Sequence, residues 1–143
     1  MSKHIFWLAS YPKSGNTLLR AILSSLFFTE NGIFNFKLLD SISQFENTYN
    51  IFKIRKLIGN DLDKLKNLTT FYKYLLKIQD KENLGYKEDF KFFKTHSGNF
   101  NINNNYFTRE ENIRGVIYTI RDPRDVCISW ANHTGRTYDQ SID

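Results

Sequence analysis

The chain has 143 residues, 41% of them hydrophobic, and a formal net charge of +5, which predicts one domain with a buried core. No apolar run approaches the roughly 20 residues that span a bilayer, and the N-terminal residues lack the pattern of a secretory signal. Cys127 is the only cysteine, which excludes an internal disulfide and agrees with a reducing compartment, the cytoplasm.

A strand, a loop and a helix are predicted at the start of the chain. Residues 4–9 (HIFWLA) form a short apolar run, which is typical of a buried strand. From Asn16 onward, apolar residues recur at helical spacing: Leu18, Leu19, Ile22, Leu23, Leu26 and Phe27. Residues 10–15 therefore form a loop leading into a helix N-terminus, an arrangement whose backbone N–H groups bind anions.

The middle of the chain carries weaker patterns. Helix-like apolar spacing covers residues 37–58 and 61–79, and the turn-prone sequence GND at 59–61 separates the two. We therefore expect helices on both sides of this turn.

The last third again predicts strands and a helix. Residues 90–96 (FKFFKTH) and 115–121 (GVIYTIR) have strand patterns, and the asparagine-rich residues 99–107 between them predict a loop. Pro123 favours the start of a helix, which is expected to run to about Thr134 and to end at Gly135.

Strands that alternate with helices predict an α/β fold with a mostly parallel central sheet. In such sheets, ligands lie beyond the carboxyl ends of the strands. Three polar clusters follow predicted strands: residues 10–15, the sequence KTH at 94–96 and the sequence RDP at 121–123. We expect these clusters to converge at one edge of the sheet.

The loop sequence LASYPKSGNT resembles a Walker A loop (G-x-x-x-x-G-K-[ST]) whose lysine is displaced. Gly15 and Thr17 keep their places, Asn16 stands where the lysine would be, and Lys13 lies earlier. No convincing acidic partner for magnesium follows a later strand. The pattern therefore predicts an anion site that is neutralised by protein cations, with no metal.

Three segments together resemble the sulfotransferases that use 3′-phosphoadenosine 5′-phosphosulfate. YPKSGNT (11–17) is similar to the family's 5′-phosphosulfate loop, and YTIRDPRDVCISW (118–130) is similar to its 3′-phosphate segment. FKTH (93–96) resembles the strand end that carries the catalytic histidine. The resemblance spans roughly residues 4–135, with a looser match over 30–88, and implies a P-loop-type three-layer α/β/α domain.

The resemblance also implies roles for the loop residues. Lys13 would stabilise negative charge on the oxygen that bridges sulfur and phosphorus. The 5′-phosphate and sulfonate oxygens would be bound by Ser14, Gly15, Asn16 and Thr17. The donor would be 3′-phosphoadenosine 5′-phosphosulfate, and no metal would be required.

Arg121 and Ser129 would hold the 3′-phosphate, and His96 would be the general base for an acceptor hydroxyl or amine. Lys94 is expected on the same side of its strand as His96. Without the resemblance, an ion pair of Arg121 with a neighbouring acid such as Asp125, and a helix serine bonded to its own backbone, are the simpler interpretations.

The sequence departs from the family in two ways. Asp122 replaces the commoner asparagine beside the phosphate-binding arginine. A glycine-rich basic loop of the family has no counterpart, so residues 1–143 are expected to be one domain that corresponds to the N-terminal part of the family domain, with the C-terminal part absent.

Three other functions are weighed against sulfotransfer. A P-loop kinase or NTPase would require magnesium and prefer ATP or GTP, and the displaced lysine argues against it. A catalytically inactive nucleotide-binding fragment would keep the loop and transfer nothing. Nucleic-acid binding is disfavoured because the basic residues form no stripe. The acceptor, whether a small molecule, a glycan or a lipid, and the oligomeric state are left open.

Overall fold

The computed structural model describes residues 3–142, apart from the side chain of Leu62. Within this range, three parallel strands form one open sheet in the order β2-β1-β3. The strands are β1 (Ile5–Ser10), β2 (Lys91–Thr95) and β3 (Ile113–Thr119). The predicted α/β fold with a parallel sheet is confirmed, and the loop after β1 leaves from the centre of the sheet.

Helices connect and cover the strands. The α-helices in the described range are α1 (Asn16–Phe28), α2 (Thr48–Leu57), α3 (Leu62–Lys66), α4 (Leu68–Lys77), α5 (Lys81–Leu84) and α6 (Pro123–Thr134). Short 3₁₀ segments lie at Phe36–Ser41, Glu110–Asn112 and Asp139–Ser141. Gly135 ends α6 with a φ of 68°, in the left-handed conformation that glycine adopts readily.

The two faces of the sheet bury different sets of side chains. On one face, Trp7 packs against the rings of Phe45, Phe93 and Phe107, beside Ile54 of α2 and Leu75 of α4. On the other face, Leu8 and Phe92 pack against Leu19 and Leu23 of α1. Helices therefore cover both faces, which gives the predicted three-layer arrangement.

Both helical segments predicted in the middle of the chain differ in the structure. Residues 61–79 form two helices, α3 and α4, which are separated at Asn67. Residues 37–58 begin with a 3₁₀ segment, and the α-helix starts only at Thr48. Between them the chain runs beside β2: Lys94 N donates to Ser43 O at 3.0 Å, and Phe45 N donates to Lys94 O at 2.9 Å. These hydrogen bonds to a distant strand replace the local helical ones, so the apolar spacing misled the prediction.

Helix α1 carries two apolar stripes, and the sheet covers only one. Leu19 and Leu23 face the sheet, whereas Leu18, Ile22 and Leu26 are 67%, 50% and 68% exposed. No helix of residues 3–142 combines the length and apolar character needed to cross a bilayer.

Candidate functional site

The loop after β1 is built around two residues with positive φ. Lys13 has a φ of 65° and Gly15 a φ of 96°. Gly15 is the N-cap of α1, and no side chain caps this helix. A Cβ placed on Gly15 would meet no atom within 4 Å, so the space beside it is open. The first N–H groups of α1 and the positive end of its dipole can therefore receive an anion.

Asn16 holds this loop against the strand before it. Its buried side chain donates from Nδ2 to Leu8 O at 2.9 Å and to Ser10 Oγ at 3.2 Å. Because the side-chain Nδ2 already donates to these two oxygens, an anion would bind to the backbone N–H of Asn16. Ser14 is buried beside it, and Thr17 is exposed on the first turn of α1.

His96 follows the last residue of β2 and reaches across to β1. Its Nδ1 lies 2.7 Å from Ser10 O and 3.3 Å from Ser10 Oγ. A carbonyl oxygen only accepts hydrogen bonds, so this contact assigns the proton to Nδ1. In the neutral ring, Nε2 then carries the lone pair and is the nitrogen that can accept a proton.

Lys94 lies two residues before His96 and is half-buried. Burial lowers the pKa of Lys94, and the nearby positive charge of Arg20 lowers it further, while Glu46 opposes both effects. The ammonium group of Lys94 therefore belongs to a charged cluster with Arg20 and Glu46.

Arg121 connects the end of β3 to the loop. Its Nη1 donates to Lys13 O at 3.2 Å, and its Nε lies 3.8 Å from the carboxylate of Asp125. Both side chains of this ion pair are substantially exposed, so the pair stabilises the fold little. The Lys13 ammonium makes no ion pair within residues 3–142.

Asp122 is the N-cap of α6, directly before Pro123. Its carboxylate accepts from the backbone N–H of Arg124 at 2.9 Å and from the Arg124 guanidinium at 2.6 Å. These hydrogen bonds lower the pKa of Asp122. The acid that departs from the expected asparagine therefore serves as a cap, and its charge is paired.

A cavity of about 840 Å³ lies where these elements meet. Ser14, His96 and Arg121 all line it, so the loop and the ends of β2 and β3 converge there. Thr119 also lines it, and its buried Oγ1 has no hydrogen-bond partner within residues 3–142. Ser129 is half-buried on α6. The lining residues include neither Ser129 nor four of the predicted loop residues, Lys13, Gly15, Asn16 and Thr17.

Two further observations concern the rest of the described chain. A second cavity of about 530 Å³ lies beside His4 and Tyr86, at the amino ends of the strands and away from the polar cluster. Within residues 3–142, no group of three or more His, Cys, Asp or Glu side chains is placed to hold a metal ion.

Comparison with protein-family models matches residues 3–142 to the sulfotransferase domain. The chain belongs to the sulfotransferase domain family. This match spans nearly the whole chain and confirms the family that the three motifs indicate. Comparisons with curated proteins and with solved structures gave no significant match.

In this sulfotransferase domain, two polar residues make contacts around His96 that no sequence motif predicts. The backbone oxygen of Ser10 accepts a hydrogen bond from His96 Nδ1, and the Glu46 carboxylate accepts hydrogen bonds from Thr95 and Ser97. Ser10 stands where a Walker A loop has its first glycine, and that pattern gives no indication of a contact with His96. Glu46 lies about 50 positions before its partners, in a segment without any motif, so no local signal points to it.

Proposed function

We propose that this sulfotransferase domain transfers a sulfonate group from 3′-phosphoadenosine 5′-phosphosulfate to an acceptor hydroxyl or amine. Family membership supports the reaction class. The observation that carries the finer proposal is that His96 and Arg121 each hydrogen-bond to the backbone of the loop region, at Ser10 and at Lys13. A base and a phosphate-binding cation thus flank one anion site.

The residues at this site suit the proposed donor. Gly15 leaves open space beside the N-terminus of α1, and Ser14 and Thr17 offer hydroxyls close to it. When bound, the donor supplies the sulfonate group and departs as adenosine 3′,5′-bisphosphate.

His96 is proposed to act as the general base. Nε2 of the neutral ring takes the proton of the acceptor, which makes the acceptor oxygen or nitrogen a better nucleophile. The ring then becomes positively charged, and the hydrogen bond from Nδ1 to Ser10 O stabilises this charge. Ser10 O thereby holds the imidazole in one orientation before and after the proton moves.

The cations at the loop are proposed to bind and neutralise the donor. The Lys13 ammonium would balance the negative charge on the leaving group, and the Arg121 guanidinium would bind the 3′-phosphate. Ser129 is proposed as a second ligand of that phosphate, reached from α6.

The proposed acceptor is a small molecule, a glycan or a lipid rather than a nucleic acid. Tyr11, Tyr118 and Trp130 line the same cavity as His96, which supports an acceptor with an apolar part. The single cysteine supports the cytoplasm as the proposed location.

Transfer from a radiolabelled donor tests the proposal. The chain is incubated with phenols, alcohols, amines, saccharides and glycolipids, and the products are separated. Labelled product is expected with at least one class, and His96→Ala is expected to lower its rate by about 10²- to 10⁴-fold while adenosine 3′,5′-bisphosphate still binds. His133→Ala, an exposed histidine on α6, is the control. Transfer at the normal rate by His96→Ala contradicts the assigned base.

A further inference from the structure

Glu46 binds the residues on both sides of His96. Its Oε1 accepts a hydrogen bond from Thr95 Oγ1 and another from Ser97 Oγ, each at 2.5 Å. Charge-assisted hydrogen bonds of this kind are short and are about twice as strong as neutral ones. A single carboxylate oxygen therefore clamps residues 95 and 97, and His96 lies between them.

The turn that contains His96 is closed by the same hydroxyl. Thr95 Oγ1 accepts from the backbone N–H of Ser97 at 2.9 Å while it donates to Glu46. Thr95 is buried, so its hydroxyl depends on these partners. The backbone of residues 95–97 is thus fixed on one side by Glu46, while the His96 ring is fixed on the other side by Ser10.

Glu46 reaches this turn because the preceding residues run alongside β2. Gln44 forms a parallel bridge with Lys94, and Phe45 N donates to Lys94 O at 2.9 Å. The Phe45 side chain is fully buried against Trp7 and Phe93, which anchors the segment. Glu46 therefore comes from the packed core of the protein, and its carboxylate has a defined position.

We infer that Glu46 is a positioning residue for His96: it fixes the turn at 95–97 so that Nδ1 meets Ser10 O and Nε2 stays available to the acceptor. The catalytic consequence rests on the proposed function, but the geometric claim does not. Its mechanism is hydrogen bonding to Thr95 and Ser97, so an uncharged acceptor at position 46 is expected to preserve it.

Nitrogen NMR of histidine-labelled protein tests the geometric claim without any assay of activity. The chain has three histidines, and His96→Gln assigns the His96 signals. Spectra are recorded at a pH where His96 is neutral. The folded wild type is expected to show His96 protonated at Nδ1. Glu46→Ala is expected to shift His96 toward a mixture of both tautomers, and Glu46→Gln is expected to retain the wild-type signals.

Two additional variants keep the test decisive. Ser97→Ala removes one of the two donors to Glu46 and is expected to shift the His96 tautomer less than Glu46→Ala does. This variant still tests the inference if Glu46→Ala does not fold. Glu30→Ala, an exposed acid far along the chain from the turn, is expected to change nothing. An unchanged His96 tautomer in folded Glu46→Ala, or in Ser97→Ala if Glu46→Ala does not fold, overturns the inference.

Kinetics then separate this inference from the proposed function. Glu46→Ala is expected to lower kcat by about 10- to 100-fold with unchanged affinity for adenosine 3′,5′-bisphosphate, and Glu46→Gln is expected to restore most of the loss. A changed tautomer with unchanged kcat overturns the positioning role. Failure of the proposed function has a different signature: the wild type neither binds the bisphosphate nor transfers sulfonate, whatever the His96 tautomer.

Discussion

Nη1 of Arg121 donates a hydrogen bond to the backbone oxygen of Lys13 at 3.2 Å, across 108 positions of sequence. This contact joins the end of β3 to the loop after β1. It places the Arg121 guanidinium beside the backbone turn at which Lys13 adopts a positive φ. Two cationic residues therefore meet at one end of the sheet, where the N-terminus of α1 also lies.

Replacing Arg121 by alanine is expected to weaken the binding of adenosine 3′,5′-bisphosphate by about 10- to 100-fold. The reason is the loss of charge-assisted hydrogen bonds worth about 1.5–3 kcal/mol. Calorimetric titration of the wild type and the variant measures the difference. Arg109→Ala removes an exposed arginine that precedes β3, at the opposite end of the sheet, and serves as the control. Equal affinities of Arg121→Ala and the wild type rule out the 3′-phosphate assignment.

Asn16→Ala is expected to destabilise the folded state by about 1–3 kcal/mol, because it removes the two hydrogen bonds that the buried Asn16 amide donates to Leu8 O and Ser10 Oγ. The midpoint of urea unfolding reports the change. Asn132→Ala, at an exposed position of α6, is the matched control and is expected to change stability by less than about 0.5 kcal/mol. A loss at Asn16 no greater than that of the control shows that these hydrogen bonds contribute little.

Two substitutions of Asp122 distinguish the effect of its negative charge from its role as the N-cap of α6. Asparagine caps helices about as well as aspartate, so Asp122→Asn is expected to keep stability and to strengthen bisphosphate binding by a few-fold. Asp122→Ala removes the cap and is expected to lower the midpoint of urea unfolding. Urea unfolding and calorimetry on the two variants give both quantities. Weaker binding by Asp122→Asn would mean that the acid helps the site.

The free energy of unfolding is expected to depend on the ionisation of Tyr86 at alkaline pH. Tyr86 lies at the amino ends of the strands, away from the candidate site. Burial and the nearby charge of Glu88 raise the pKa of Tyr86 to about 12 in the folded protein, from its usual value of 10.0. Its hydroxyl donates to the backbone oxygen of His4 at 3.1 Å. Because the folded state holds this proton more tightly, the stabilisation is complete below pH 10 and is lost as the pH rises from about 10 through about 12.

Unfolding free energies between pH 9 and pH 12 measure this loss. Tyr86→Phe is expected to start about 1 kcal/mol less stable and to lose less stability across the range than the wild type. Tyr49→Phe, at an exposed position, is expected to follow the wild-type curve. Parallel curves for the wild type and Tyr86→Phe contradict the raised pKa.

Local signals predicted the parts of the fold that local physics determines. The apolar run of β1, the loop glycine at position 15 and the proline and glycine that bound α6 each act through their own backbone, so the sequence pattern sufficed. The family was likewise readable from three short motifs. The roles assigned to individual site residues stay predictions.

Tertiary contacts decided the rest. Residues 43–45 have helix-like apolar spacing but are not helical, because their backbone forms hydrogen bonds with β2. The sequence pattern does not contain the position of β2 and so could not predict this. The pairings of His96 with Ser10 and of Glu46 with Thr95 and Ser97 join positions that share no motif. Of the two stripes on α1, nothing in the spacing distinguishes the one that meets the sheet.

The central claim is that the loop after β1 and the end of β3 form a site for an adenosine bisphosphate. Calorimetric titration of the folded chain tests it most directly, with adenosine 3′,5′-bisphosphate in one series and magnesium–ATP in another. We expect binding of the bisphosphate that does not depend on metal and that is tighter than binding of magnesium–ATP. Preference for magnesium–ATP would contradict the claim in favour of a kinase or NTPase, and binding of neither would show that these residues do not form the site.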